Sequence, residues 1–126
     1  MKRILLAEDD EILRMLITDT LEEEEFQVEE AKDGFEAAEL LASCSYDLLI
    51  IDYMMPVYSG VEVIEKVRRG GMNKEVTIVM LSAKSQQTEQ EKAIKAGADF
   101  FIAKPFSPLE LLAKVRGILH EENPIL

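Results

Sequence analysis

Four consecutive apolar residues, Leu48-Leu49-Ile50-Ile51, run directly into a carboxylate at Asp52 and then into Tyr53-Met54-Met55-Pro56. An unbroken apolar run of this length, half of it β-branched, fits a strand buried on both faces. A charged group at the mouth of such a strand is costly unless it is hydrated, paired or bound to a cation. Pro56 pushes Met55 out of the helical region. Ser59-Gly60-Val61-Glu62 then has the spacing of a capping box, so a helix begins there. Strand, acid, loop and helix make half a βαβ unit, and the functional question is what Asp52 faces.

The rest of the chain repeats this alternation. Arg3–Ala7 reads as a buried strand followed by Glu8-Asp9-Asp10-Glu11. Leu13, Leu16, Ile17, Thr20 and Leu21 then recur at helical spacing, which predicts an inward stripe. The acidic run at 22–25 reads as a solvated turn. Residues 26–31 suggest a short edge strand, and Asp33-Gly34-Phe35-Glu36 another capping box opening a helix to about Ala42. A helix from Gly60 would bury Val61, Ile64 and Val67 and stop at Gly70-Gly71. Residues 76–81 form an apolar strand running out at Ser82-Ala83-Lys84. The next helix, 85–96, has only Ala93, Ile94 and Ala96 as apolar anchors, so little buried area holds it. A last strand, 99–103, leads to Lys104-Pro105-Phe106. Ser107-Pro108-Leu109-Glu110 then starts a helix with Leu112, Val115 and Leu119 inward. Five strands alternating with five helices predict an α/β fold, a parallel sheet covered on both faces. Ligands of such sheets sit beyond the carboxyl ends of the strands.

Charge narrows the partners. With 25 acidic against 14 basic residues, the net charge of −11 repels phosphate backbones and anionic membranes, so direct nucleic-acid or membrane binding is not expected. Only four apolar residues, Ile4 to Ala7, follow Lys2-Arg3, too few for a signal peptide. The single Cys44 cannot form an internal disulfide and reads as a small filler in a cytoplasmic protein. His120 reads as a solvated helix-end residue.

The polar residues converge on one rim. Glu8 and Asp9 follow the first strand, Asp52 closes the third, Ser82 follows the fourth and Lys104 the fifth. Crowded carboxylates repel by about 4 kcal/mol per pair at ~4 Å and an effective dielectric near 20, which a cation or a shared proton relieves. Hard divalent cations prefer oxygen ligands, and Mg2+ suits one or two carboxylates with a phosphate oxygen. A carboxylate can also be the nucleophile of phosphoryl transfer. Positive charge and donors, here Lys104 and Ser82, would then stabilise the equatorial phosphoryl oxygens.

At these residues the sequence resembles the response-regulator receiver domain of two-component signalling. The marks are Leu6-Ala7-Glu8-Asp9-Asp10, Asp52-Tyr53-Met54-Met55-Pro56 with Gly60, Leu81-Ser82-Ala83, and Lys104-Pro105-Phe106. The resemblance implies a doubly wound, flavodoxin-like sheet of order 2-1-3-4-5, with a receiver domain over 1–120 and a short tail, 121–126, without an output domain. It implies Asp52 as phosphoacceptor, and Glu8, Asp9, Asp52 and the Met54 backbone carbonyl as ligands of Mg2+ or Mn2+. Ser82 would contact the phosphoryl group and Lys104 would pair with it. Ser82 and Phe101 would be switch residues, and Lys104-Pro105 a cis peptide. Met54 and Lys84 occupy positions that tune phosphoryl lifetime in the family, and with Met54 slower hydrolysis is expected than with Asn there. The donor would be a histidine kinase, a phosphotransfer protein or a small phosphodonor. A downstream protein would bind through 85–120, and dimerisation on activation is left open. The only enzymatic activity expected is self-directed phosphotransfer and autodephosphorylation.

Rival readings are weaker. An aspartate-nucleophile phosphohydrolase of the haloacid-dehalogenase type needs a second Asp where Met54 stands. A flavin-binding protein needs a phosphate loop where Glu8-Asp9-Asp10-Glu11 would repel it. A phosphorylation-independent interaction module would not require the acids, Ser82 and Lys104 together.

Overall fold

The computed structural model describes residues 1–83 and 87–120. Its elements are β1 (Arg3–Ala7), α1 (Glu11–Glu23), β2 (Gln27–Ala31), α2 (Gly34–Ser43), β3 (Leu48–Asp52), α3 (Gly60–Arg69), β4 (Thr77–Ala83), α4 (Gln87–Ala96), β5 (Phe100–Lys104) and α5 (Pro108–His120). All five strands are parallel, in the order β2-β1-β3-β4-β5, as the sequence predicts. The central strands β1 and β3 are the apolar runs that sequence reading picks out, because only a fully covered strand tolerates apolar residues at every position. Side chains alternate between two cores. Ile4, Leu6, Leu48, Ile50, Val79 and Leu81 meet α1 and α5. Leu5, Leu49, Ile51, Ile78 and Met80 meet α2, α3 and α4. Among the described residues, no helix is long and apolar enough to cross a membrane.

Caps explain the helix starts. Ser59 and Glu62 form the reciprocal capping box expected for α3, and Ser107 with Glu110 does the same for α5. Asp33 caps α2 through the Glu36 amide, but the Glu36 carboxylate reaches back to the Lys32 amide and not to Asp33. The acidic run at 22–25 is exposed, and Glu24 pairs with Arg116 of α5.

Several expectations need correction. In α1 the buried positions are Ile17, Thr18 and Leu21, with Leu13 partly buried, while Leu16 is exposed. Apolar residues stand on both sides of this helix, Ile12 and Met15 included, so spacing alone did not fix its inner face. Thr20 lies half-exposed and donates to the Leu16 carbonyl. Val63, missed from sequence, is buried in α3, and Val61 is only partly so. In α4, Ala93 alone is buried, and Ile94 is 58% exposed. Ser82 does not follow β4 but lies within it, paired with Ala103, and Lys104 is the last residue of β5. Lys84, the start of the 85–96 helix and the tail 121–126 lie outside the described residues.

One guanidinium ties three segments together below the sheet. Arg68, near the end of α3, donates to the Gly97 carbonyl at 2.8 Å and to the Lys74 carbonyl at 2.7 Å, and pairs with Asp99 at 3.1 Å. Gly97 has φ +125°, and a Cβ there would press into the Arg68 side chain. Asp99 in turn accepts from the amide of Ile78, the second residue of β4.

Candidate functional site

Pairing of β1 with β3 ends at Ala7 and Ile51, so Asp52 stands one step past the last β1 partner while still in register with Leu81 of β4. The chain leaves this point under tight control. The Tyr53 amide donates to the Leu81 carbonyl at 2.8 Å, and the Gly60 amide returns to the Tyr53 carbonyl at 2.9 Å. Gly60 packs on the Asp52 carbonyl where no Cβ would fit, and Gly34 opens α2 against Tyr58 while donating to the Pro56 carbonyl at 3.1 Å. The glycines are therefore required by close approach. Val57, in the same loop, has φ +73°, a strained conformation for a β-branched residue.

Glu8 leaves β1 fully buried, Asp52 is 5% exposed and Asp9 is exposed. One carboxylate oxygen from each of these residues lies within 4.8 Å of the others, a set that can hold a metal ion. Lys104 reaches in from β5. Its Nζ donates to Asp52 Oδ2 at 3.0 Å and lies 3.0 Å from Glu8 Oε1, the latter an ion pair without hydrogen-bond geometry. The other Glu8 oxygen accepts from the Asp10 amide at 3.0 Å. The Ser82 hydroxyl is buried near the end of the adjacent strand and has no hydrogen-bond partner among the described residues. A buried hydroxyl left so is costly and ready to meet an incoming acceptor.

Burial pushes the Glu8 carboxyl up to about 7. The Asp10 amide opposes that shift, the Asp52 charge adds to it, and Lys104 offsets part of it. Burial by itself would lower the Lys104 ammonium, but the hydrogen bond to Asp52 and the close carboxylates of Asp52 and Glu8 outweigh it and hold its pKa above the ordinary lysine value. The site thus keeps one fixed cation and excess negative charge, the balance that favours a divalent metal with a phosphoryl anion.

The fold brings together Glu8, Asp9, Asp52 and Lys104, with Ser82 at the neighbouring strand end. Met54 sits in the clamped loop and is 67% exposed. Phe101 is half-buried and packs against the core on the α3 and α4 side. The Lys104–Pro105 peptide is cis. Sequence reasoning missed Asp10, the N-cap of α1, whose carboxylate accepts from the Leu13 amide. An Asp three residues before the first inward-facing residue was the available signal.

Comparison with known proteins agrees with this geometry. The family model for the response regulator receiver domain matches residues 4–116. The chain is 34% identical over 124 residues to the phosphate regulon transcriptional regulatory protein PhoB of Escherichia coli K12, covering 98% of this chain and 54% of PhoB. It therefore spans about half the length of the curated relatives it matches. Among solved structures, the chemotaxis response regulator CheY4 of Vibrio cholerae superposes with a TM-score of 0.88 at 30% identity, covering 94% of this chain and 98% of that one. The receiver domain of the sensor histidine kinase PA1611 from Pseudomonas aeruginosa PAO1 gives 0.83 at 28% identity, covering 91% and 94%, and holds magnesium in its active-site cleft. The chain belongs to the response regulator receiver domain family of two-component signalling, whose members are phosphoacceptor switches.

Proposed function

We propose that Asp52 is the phosphoacceptor of a Mg2+-dependent conformational switch. The observation that carries this reading is the Asp52 carboxylate itself, nearly buried, paired with Lys104 and sharing an oxygen cluster with Glu8 and Asp9. An Asp52 oxygen attacks phosphorus as the P–N bond of a kinase or phosphotransfer-protein phosphohistidine breaks, or the P–O bond of a small donor. The electron pair leaves with the imidazole or carboxylate, and an acyl phosphate forms. Glu8, Asp9, Asp52 and the Met54 carbonyl would hold Mg2+ (or Mn2+), which supplies charge neutralisation for the phosphoryl oxygens. Lys104 pairs with the phosphoryl group, and Ser82 gives it a hydroxyl that lacks a partner among the described residues. The exposed thioether of Met54 has no strong acceptor to orient an attacking water, which favours a long-lived acyl phosphate.

The signal would leave through α4, β5 and α5. Phe101 pairs in register with Met80, two residues before Ser82, so movement of Ser82 toward a phosphoryl group is felt beside Phe101 and the thinly anchored α4. A downstream protein, or a second copy on activation, would read that face. Net charge −11 argues against direct nucleic-acid contact by these residues, and the free Cys44 suits the reducing cytoplasm.

Intact-mass measurement after incubation with Mg2+ and acetyl phosphate tests the acceptor. One phosphoryl group should appear on the parent, vanish with EDTA and be missing from Asp52→Ala. A gain on Asp52→Ala would sink the assignment.

A further inference from the structure

Arg14 lies one turn into α1 with its side chain only 14% exposed, although arginine usually extends into water. Its Nη1 donates to the backbone carbonyl of Glu8 at 2.7 Å, and its Nε donates to the Glu30 carboxylate at 2.9 Å. Glu30 belongs to the edge strand β2, whose Ala31 carbonyl accepts from the Glu8 amide at 3.1 Å. Both backbone polar groups of Glu8 are therefore held at the seam between α1 and β2, and its carboxylate is held by Asp10 and Lys104. A carbonyl fixed at the peptide between Glu8 and Asp9 constrains where both side chains leave the backbone.

We infer that Arg14 is a positioning residue for the divalent-cation cradle, bridging the Glu8 carbonyl to Glu30 so that Glu8 and Asp9 present their carboxylates beside Asp52 before metal arrives. This rests on the reading of that cluster as the Mg2+ site. The hydrogen bonds of Arg14 go to the Glu8 carbonyl and to Glu30 and not to the carboxylates of the cluster, so it acts through Glu8. Its charge argues in the opposite direction. Removing a cation near three carboxylates would tighten Mg2+ binding by charge alone, but the Glu30 partner at 2.9 Å already offsets that cation.

The test is titration of metal-free, unphosphorylated protein with Mg2+ by calorimetry. The variants are Arg14→Gln, Glu30→Gln and the charge-conserving pair Arg14→Gln/Glu30→Gln, and melting temperatures are taken in EDTA to confirm folding. Loss of positioning should weaken Mg2+ binding about tenfold in Arg14→Gln, with a similar loss in the pair. Glu30→Gln, which frees one arm of the guanidinium, should lose less. Tighter binding in Arg14→Gln that returns to the parent value in the pair would show a charge effect only and overturn the inference. Unchanged affinity in both folded variants, or a lowered melting temperature with affinity intact, would overturn it as well. A parent that binds no Mg2+ would instead defeat the underlying assignment of the metal site. Should Arg14→Gln fail to fold, Glu30→Gln alone decides: weaker binding supports the bridge, and parent-like binding overturns it.

Discussion

Strands β3 and β5 both deliver a charged residue to the same cluster, yet they are built differently. Every residue of β3 is buried, from Leu48 to Asp52, between two sheet neighbours and two layers of helix. Every residue of β5 is only half-buried, at the sheet edge, beside a helix whose buried contact is Ala93 alone. The Asp52 carboxylate, the proposed acceptor, is thus set in the most deeply covered strand of the sheet, and its lysine partner in a half-buried edge strand. For a switch this division is useful, since chemistry needs a fixed nucleophile and signalling needs a surface that shifts at modest cost.

Truncation should break the comparison most directly. Ile50→Ala opens a hole between fully covered layers and should cost about 3–4 kcal/mol, whereas Ile102→Ala in half-buried β5 should cost about 1–2 kcal/mol. Urea melts of both variants would check it, and equal losses would erase the distinction.

The pH response of the rigid side comes next. The Glu8 carboxyl is raised from an ordinary 4.5 to about 7 in the folded chain, so without divalent metal its contribution is fully present below pH 4.5 and is lost as pH rises toward and through 7. Over that window parent stability should fall by about 2 kcal/mol relative to Glu8→Gln, which keeps the shape without the charge. Parallel curves for the two proteins would show that Glu8 does not hold that proton.

The smallest effect belongs to the loose side. Ile94→Ala, on the outward face of α4, should change stability by less than about 0.5 kcal/mol, because most of the side chain is already wet. A loss above about 1 kcal/mol in the same urea melts would mean that α4 is anchored as firmly as α3.

Legibility in the sequence followed the same division. Strands covered on both faces announce themselves as continuous apolar runs, and caps such as Ser59 with Glu62 are local chemistry, so the frame and the rim residues could be placed from sequence. The inner face of α1 could not, because Ile12, Met15 and Leu16 are as apolar as the residues that do go inside. Ser82 reads the same whether it ends a strand or follows one. The support behind Glu8 was hidden for another reason: Arg14 and Glu30 lie sixteen residues apart on different elements, and no local pattern marks such a pair.

The Arg68 knot gives α4 a polarity. Its C-terminal turn runs into Gly97, which shares one guanidinium with the Lys74 loop and Asp99, so loosening that end would have to disturb three segments at once. The other end, at Gln87, is exposed and leans on no comparable knot among the described residues. Any displacement of the helix should therefore pivot about Gly97, where the Arg68 bonds act as its fulcrum.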